Sequence, residues 1–350
     1  MLYFGLESRR TSLIILSVNV IICIMSELNN RRHESCLEPA SQEALFSYYG
    51  VGSIEADDLT YSHTRGNVPY RFTETTQRAY PFTTENMTDY VGKLSLKDKD
   101  IAAVCGSNDF AINAFMQGAK SVDAIDVMQT ACLYGELKTA GLTVFDRSEF
   151  NNFFVHPYDE DTKFFDHDMY QRLKPHLSAQ TKSFFDQVVS PVSGQPTEIA
   201  GFFIDKVERI DLRTAMNPYL EDDASYNKAS EGVHNVLFHP TDFTSFLESV
   251  HPTSYDIVYL SNIMAYMDNA AADELLSLAT TRLKPGGKLL DFRFIYPEVE
   301  TSTVESKQHQ QAESLGLEPW SVIGTVPQMD HGAPGSSGFR SFLSVLEKAA

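Results

Sequence analysis

The chain has 350 residues, enough for one large domain or two modest ones, and with 43% hydrophobic and 21% charged residues it is neither disordered nor collagen-like. Lys and Arg total 28 against 47 Asp and Glu, a formal charge of −19, so a grip on a phosphate backbone has to overcome net repulsion and no nucleic-acid partner is expected. No apolar run reaches the roughly 20 residues of a spanning helix, and the cysteines at 23, 36, 105 and 132 lack CxxC or Cys/His spacing, which argues for a reducing compartment and against zinc or a disulfide framework.

Residues 1–25 form an apolar extension. Arg9 and Arg10 precede Leu13 to Met25, which resembles the front of a signal peptide, but Ser26-Glu27-Leu28 follows in place of a small-residue cleavage site. Three readings stand: initiation at Met25 with residues 1–24 upstream, an uncleaved interfacial anchor, or a buried strand. Residues 26–96 show no sustained period and read as an N-terminal cap of short helices and loops.

From residue 97 to 345 the pattern is that of an α/β domain. The apolar run Ile101 to Cys105 reads as a strand, Phe110 to Gly118 as a helix, Ser121 to Ile125 as a strand ending in Asp126, and Met128 to Leu142 as a helix. Such alternation predicts a mostly parallel sheet with right-handed crossovers. Residues 146–231, with the aromatic pairs Phe153-Phe154, Phe164-Phe165, Phe184-Phe185 and Phe202-Phe203, read as a helical insertion; the pairs are core or line an acceptor pocket. The rhythm resumes with the strand Val233 to Phe238, a helix near Phe243 to Val250, the strand Asp256 to Leu260 and the helix Ala270 to Leu283. Lys284-Pro285-Gly286-Gly287 reads as a turn before the strand Lys288 to Phe294. Trp320 to Val326 and Gly338 to Val345 are candidate closing antiparallel strands, although Phe339 to Leu346 also passes as a helix.

In an open α/β sheet the ligand lies beyond the carboxyl ends of the strands, which brings four loops together. Gly106, Ser107, Asn108 and Asp109 follow the first strand, where a glycine lets backbone approach a ligand and the next helix offers free N–H groups. A structural turn is the plainer account of one glycine. Asp126 ends the second strand 20 residues on, the spacing at which a carboxylate accepts from both ribose hydroxyls, with Gln129 one turn away. It is also a natural helix N-cap. Asp242 and Phe243, after the third strand, suit an adenine edge and face, or again a cap. Ser261 and Asn262 offer neutral hydrogen bonds near the reacting end, and Tyr266 is the candidate to orient or deprotonate an acceptor. His63 and Glu136 are weaker candidate bases, and the histidines show no metal spacing.

At these residues, over roughly 98–295, the chain resembles the class I S-adenosylmethionine-dependent transferases. The strand followed by Gly106-Ser107-Asn108-Asp109, then Ala124-Ile125-Asp126 with Gln129, Glu136-Leu137-Lys138, Tyr259-Leu260-Ser261-Asn262-Ile263, Leu283 to Gly287 and Arg293 most resembles the family that moves a 3-amino-3-carboxypropyl group from S-adenosylmethionine to diacylglycerol in betaine-lipid synthesis. That resemblance implies a Rossmann-like class I methyltransferase fold with a seven-stranded sheet, S-adenosyl-L-methionine as cofactor around Gly106, Asp126, Ser261 and Asn262, and a small-molecule or lipid acceptor. The first 95 residues do not match the family, and Ser-Asn-Asp stands where relatives carry a second glycine or small residue. The alternatives are methyl transfer on the same fold, a non-catalytic nucleoside-binding domain and, less well matched, an NAD-dependent dehydrogenase. A cytoplasmic protein, free or peripheral to a membrane, is expected.

Overall fold

The computed structural model describes residues 81–83, 85–154, 165–189, 216–295, 300–325 and 340–349. The expectations for residues 1–25, for most of 26–96, and for His63, Phe164 and Phe202-Phe203 lie outside the described residues.

Seven strands form one sheet: β1 Asp100–Val104, β2 Ser121–Asp126, β3 Val236–Pro240, β4 Tyr255–Tyr259, β5 Leu283–Ile295, β6 Leu317–Thr325 and β7 Arg340–Lys348. Their order is β3-β2-β1-β4-β5-β7-β6. β1 pairs in parallel with β2 and β4, β2 with β3, and β4 with β5, while β7 runs antiparallel to both β5 and β6. This is the seven-stranded, mostly parallel Rossmann-like sheet of the class I methyltransferase fold. The chain leaves β1 toward β2 and β3, then returns to the other side of β1 at β4. The order therefore reverses between β1 and β4, and a crevice opens there at the carboxyl ends.

Central strands buried on both faces read as unbroken apolar runs, which is why Ile101, Ala102, Ala103, Ile257, Val258 and Tyr259 are almost wholly buried. β3 is an edge, and its Leu237 is exposed. Helices follow the parallel strands: α1 Asp109–Met116 after β1, α2 Gln129–Val144 after β2, α7 Phe243–Ser249 after β3, α8 Asn269–Arg282 after β4 and α9 Thr301–Leu315 after β5. Asp242 and Asp268 start α7 and α8 by accepting from the N–H groups of Ser245 and Ala271 at 2.9 Å.

Between β2 and β3 the described helices are α3 Arg147–Phe154, α4 His167–Leu173, α5 Ala179–Val188 and α6 Asp223–Gly232. Their aromatic rings pack on one another: Phe150 and Phe154 lie 4.5 Å apart, Phe153 and Phe154 4.8 Å, Phe150 and Tyr226 5.6 Å. All four rings are buried. A Cβ on Gly141 of α2 would run into the Phe154 ring, so glycine there lets the helix and the ring meet.

The structure decides one ambiguity of the sequence reading and moves several of its boundaries. From Arg340 to Leu346 the chain is strand, the first of the two readings, since β7 inserts between β5 and β6 and needs an apolar run on both faces. The turn at residues 284–287 is absorbed into β5 as an irregularity: Tyr255 pairs with Leu283 but Ile257 with Lys288, and Gly286 takes φ +71°. The third strand starts at Val236, because residues Val233–Asn235 form a 3-10 turn. Helix α9 carries only Gln308 and Ala312 as buried residues and was not foreseen.

The amino ends of the strands are tied by charge, well away from the crevice. Lys284 Nζ reaches Asp100 at 2.8 Å and Asp256 at 2.7 Å, joining β1, β4 and β5. Partial burial pushes the Asp100 carboxyl upward, but hydrogen bonds from Lys284, Lys120 and Ser121 outweigh it and hold the group at about 2.

Candidate functional site

The crevice is built first from the β1 and β2 ends. Asp126, half-buried at the last position of β2, accepts from the Gly106 N–H through Oδ2 and from the Met128 N–H through Oδ1, both at 2.9 Å. Burial outweighs these two bonds and raises its carboxyl to about 6. Two bonds leave lone pairs on the carboxylate for further donors. Gly106 has φ +50° and open space where a Cβ would stand, so backbone is bare where a ligand would approach.

Ser107 and Asn108 turn away from that space. Ser107 Oγ donates to Asp109 Oδ2 at 2.8 Å, and Asn108 Nδ2 reaches Gly135 O and Thr139 Oγ1, each at 3.3 Å. Asn108 adopts φ +64° and its buried Oδ1 has no hydrogen-bond partner among the described residues. Both residues are buried, so they shape the loop from behind.

Behind the loop sits a network that the sequence reading missed. Asp109 and Lys138 form an ion pair at 2.5 Å with both side chains wholly buried. Asp109 also accepts from Thr83 N at 2.6 Å and from Tyr219 Oη at 2.9 Å, and Lys138 donates to the carbonyls of Ser107 and Pro81 at 3.0 and 3.2 Å. One carboxylate therefore joins the segment before β1, the glycine loop, α2 and the chain before α6. Lys138 within the apolar face of α2 was the available signal.

The β4 and β5 ends supply the other half. Ser261 has φ +50° and its Oγ donates to Glu85 at 2.5 Å. Tyr90 Oη donates to the same carboxylate at 2.8 Å, and Tyr259 Oη also donates to it. Burial pushes the Glu85 carboxyl up against these three hydroxyls, which favour the ionised form. Phe292 N–H donates to Ser261 O at 2.8 Å, which joins β5 to the turn after β4. Asp291 precedes it; burial raises its carboxyl to about 6 although Arg293 Nε lies 2.5 Å away. Glu85 gives no signal in its polar stretch, whereas Asp291 and Arg293 are charged residues interrupting an apolar strand.

The remaining candidates are placed as follows. Gln129 opens α2, half-buried and close in sequence to Asp126. Asn262 follows Ser261, half-buried, at the start of the 3-10 turn Ile263–Tyr266. Tyr266 closes that turn, and its side chain lies outside the described residues. Asp242 caps α7, while Phe243 packs in the core with Phe246 and Leu247. Glu136 faces away, accepting from Ser178 Oγ at 2.9 Å and Thr181 Oγ1 at 2.5 Å to fix the start of α5, so it is engaged structurally. Among the described residues no group of three or more His, Cys, Asp or Glu could hold a metal, and no helix is long and apolar enough to cross a membrane.

No protein-family model and no curated protein matches the chain. Solved structures similar to it include the N-methyltransferase NodS from Bradyrhizobium japonicum WM9 in complex with S-adenosyl-L-homocysteine, at 12% identity over 84% of this chain and 100% of that one, TM-score 0.36. Another is the precorrin 8w decarboxylase of Methanobacterium thermoautotrophicum, at 12% identity over 72% of this chain and 84% of that one, TM-score 0.33. A third is the [4+2]-cyclase SpnF, at 10% identity over 75% and 80%, TM-score 0.38. Likeness this distant carries nothing about activity, and the fold assignment rests on the strand order.

Proposed function

We propose that the chain is an S-adenosylmethionine-dependent transferase. The observation that carries this reading is Asp126 at the end of β2, bonded to the N–H of a glycine with open space above it, beside the point where the strand order reverses. Asp126 has lone pairs free to accept from both hydroxyls of a ribose, with Gln129 beside it. Gly106 lets the ligand lie against the loop that Ser107 and Asn108 hold from behind. Asp242, which caps α7 through Oδ1, is the residue proposed to meet the exocyclic amine, beside Phe243. Ser261 and Asn262 flank the reacting end, and Tyr266, at the end of the following turn, is the residue proposed to orient or deprotonate the acceptor.

S-adenosylmethionine supplies a sulfonium whose S–C bonds are open to displacement, with a neutral thioether leaving. The task of the chain is to hold donor and acceptor in line and to exclude water. Methyl transfer is the first reading, supported by a sheet of the methyltransferase type in full, including β7 between β5 and β6. Transfer of a 3-amino-3-carboxypropyl group to a small-molecule or lipid acceptor is the second, supported by the resemblance at Gly106 to Asp109, Asp126, Ser261-Asn262 and Arg293.

The test is calorimetric titration of the full chain with S-adenosylmethionine and S-adenosylhomocysteine, followed by mass analysis of small products after incubation with lipid and cell extract. Release of S-adenosylhomocysteine means methyl transfer, and release of 5′-methylthioadenosine means aminocarboxypropyl transfer. Failure to bind either ligand removes the reading and leaves a domain without this activity.

A further inference from the structure

Glu85 is an unusual residue for its place. It is 4% exposed, yet no Lys, Arg or His pairs with it among the described residues. A buried charge is costly unless it is paired and hydrogen-bonded. Its donors are three hydroxyls, from Tyr90, Tyr259 and Ser261, converging on one acceptor-only group. A carboxylate accepts about four hydrogen bonds, so three hydroxyls solvate it without neutralising it.

The surroundings do not supply the missing charge. Asp291, next to the residue that bonds Ser261, is 4% exposed, and its Oδ1 has no hydrogen-bond partner among the described residues. Its other oxygen takes Arg293. Arg293 thus meets Asp291 alone, and among the described residues no cation meets Glu85.

Position says what could balance it. Asp126 ends β2 and Ser261 follows β4, with β1 between them. Adjacent strands are about 4.8 Å apart, so the two points are separated by roughly 10 Å. A nucleoside whose ribose hydroxyls sit on Asp126 is therefore within reach, through its 5′ substituent, of Ser261 and the carboxylate behind it.

We propose that Glu85 is the anionic partner of a positively charged centre on the 5′ substituent of the ligand, so that the site prefers the cationic donor over its neutral product. This rests on the S-adenosylmethionine reading above, in which that centre is the sulfonium. Its loss on transfer leaves Glu85 unpaired again, which favours exchange of product for fresh donor.

The experiment is calorimetric titration of the full wild-type chain, Glu85→Gln and Asp126→Asn with three ligands that share the nucleoside. These are S-adenosylmethionine, neutral S-adenosylhomocysteine, and sinefungin, whose ammonium-bearing carbon stands in place of the sulfonium. Loss of a close charge pair predicts that Glu85→Gln weakens S-adenosylmethionine and sinefungin about tenfold or more and S-adenosylhomocysteine by about threefold at most. Asp126→Asn weakens all three alike, because it meets the shared ribose.

Equal losses for charged and neutral ligands in Glu85→Gln overturn the proposal. So does unchanged S-adenosylmethionine affinity, the result expected if the carboxylate instead serves an amine on the acceptor. If Glu85→Gln fails to fold by near-ultraviolet circular dichroism, the wild type decides alone: S-adenosylhomocysteine binding as tightly as both cationic ligands overturns it. Binding of all three with no charge preference sinks only the role of Glu85, whereas binding of none sinks the transferase reading with it.

Discussion

Asp126 and Gly106, 20 residues apart, are joined by a 2.9 Å hydrogen bond across the ends of β2 and β1. That bond fixes the carboxylate beside bare backbone. It predicts that Asp126→Ala separates ligand affinity from stability. The substitution leaves the N–H groups of Gly106 and Met128 without their acceptor, at about 1–2 kcal/mol in stability, since net hydrogen bonds are worth that much. Losing two ribose contacts to a charged acceptor costs about 3 kcal/mol or more, over a hundredfold in affinity. Urea unfolding and calorimetry with S-adenosylhomocysteine check the two sides. Wild-type affinity in the variant removes Asp126 from the site.

The raised carboxyl of Asp126, at about 6, makes binding pH-dependent. Ribose hydroxyls donate to the ionised form, so the bound complex holds a lower pKa than the free protein and binding releases a proton near pH 6. Affinity therefore rises as pH climbs through 6. Calorimetry at pH 6 in buffers of different ionisation enthalpy reads that proton directly, and Asp126→Asn abolishes the release.

The order of strands and helices around the crevice was legible because the central strands are buried on both faces and stand out as apolar runs between turn residues. Where both faces were buried in an antiparallel strand, at Phe342 to Leu346, the same signal no longer separated strand from helix. Helix α9 escaped for the opposite reason: only Gln308 and Ala312 are buried, so there is no stripe at helical period. The placement of Gly106 after β1 and Asp126 at the end of β2 was readable from spacing. Glu85 was not, since its bond to Ser261 spans 176 residues and no local pattern encodes it.

The Lys138–Asp109 pair predicts a large loss of stability from a single substitution. Lys138→Met keeps the volume but leaves Asp109 buried without its cation, and breaking a buried pair costs about 3–5 kcal/mol. Thr83 N, Ser107 Oγ and Tyr219 Oη still donate to Asp109, which places the expected cost near the lower limit, about 3 kcal/mol. Denaturant unfolding measures it. Adding Asp109→Asn removes the stranded charge, so the double variant recovers part of the loss, and simple additivity would show that the two groups do not act as a pair.

Asp291 predicts an inverted pH dependence of stability. Its folded carboxyl, raised to about 6 by burial, lies above the ordinary carboxyl value of 3.8, so the native state binds the proton more tightly than the unfolded chain does. The contribution is fully present below the unfolded value and is lost as pH rises through about 6, on the order of 2 kcal/mol for a buried carboxyl. Asp126 acts with the same sign, and Asp100, held at about 2, acts with the opposite sign at lower pH. Asp291→Asn keeps the size and removes the titration, so the difference in unfolding free energy between variant and wild type shifts in favour of the variant as pH rises from 4 to 7. Chemical unfolding at several pH values across that range reads the slope, and parallel curves for the two proteins would mean that Asp291 is ionised in the fold throughout.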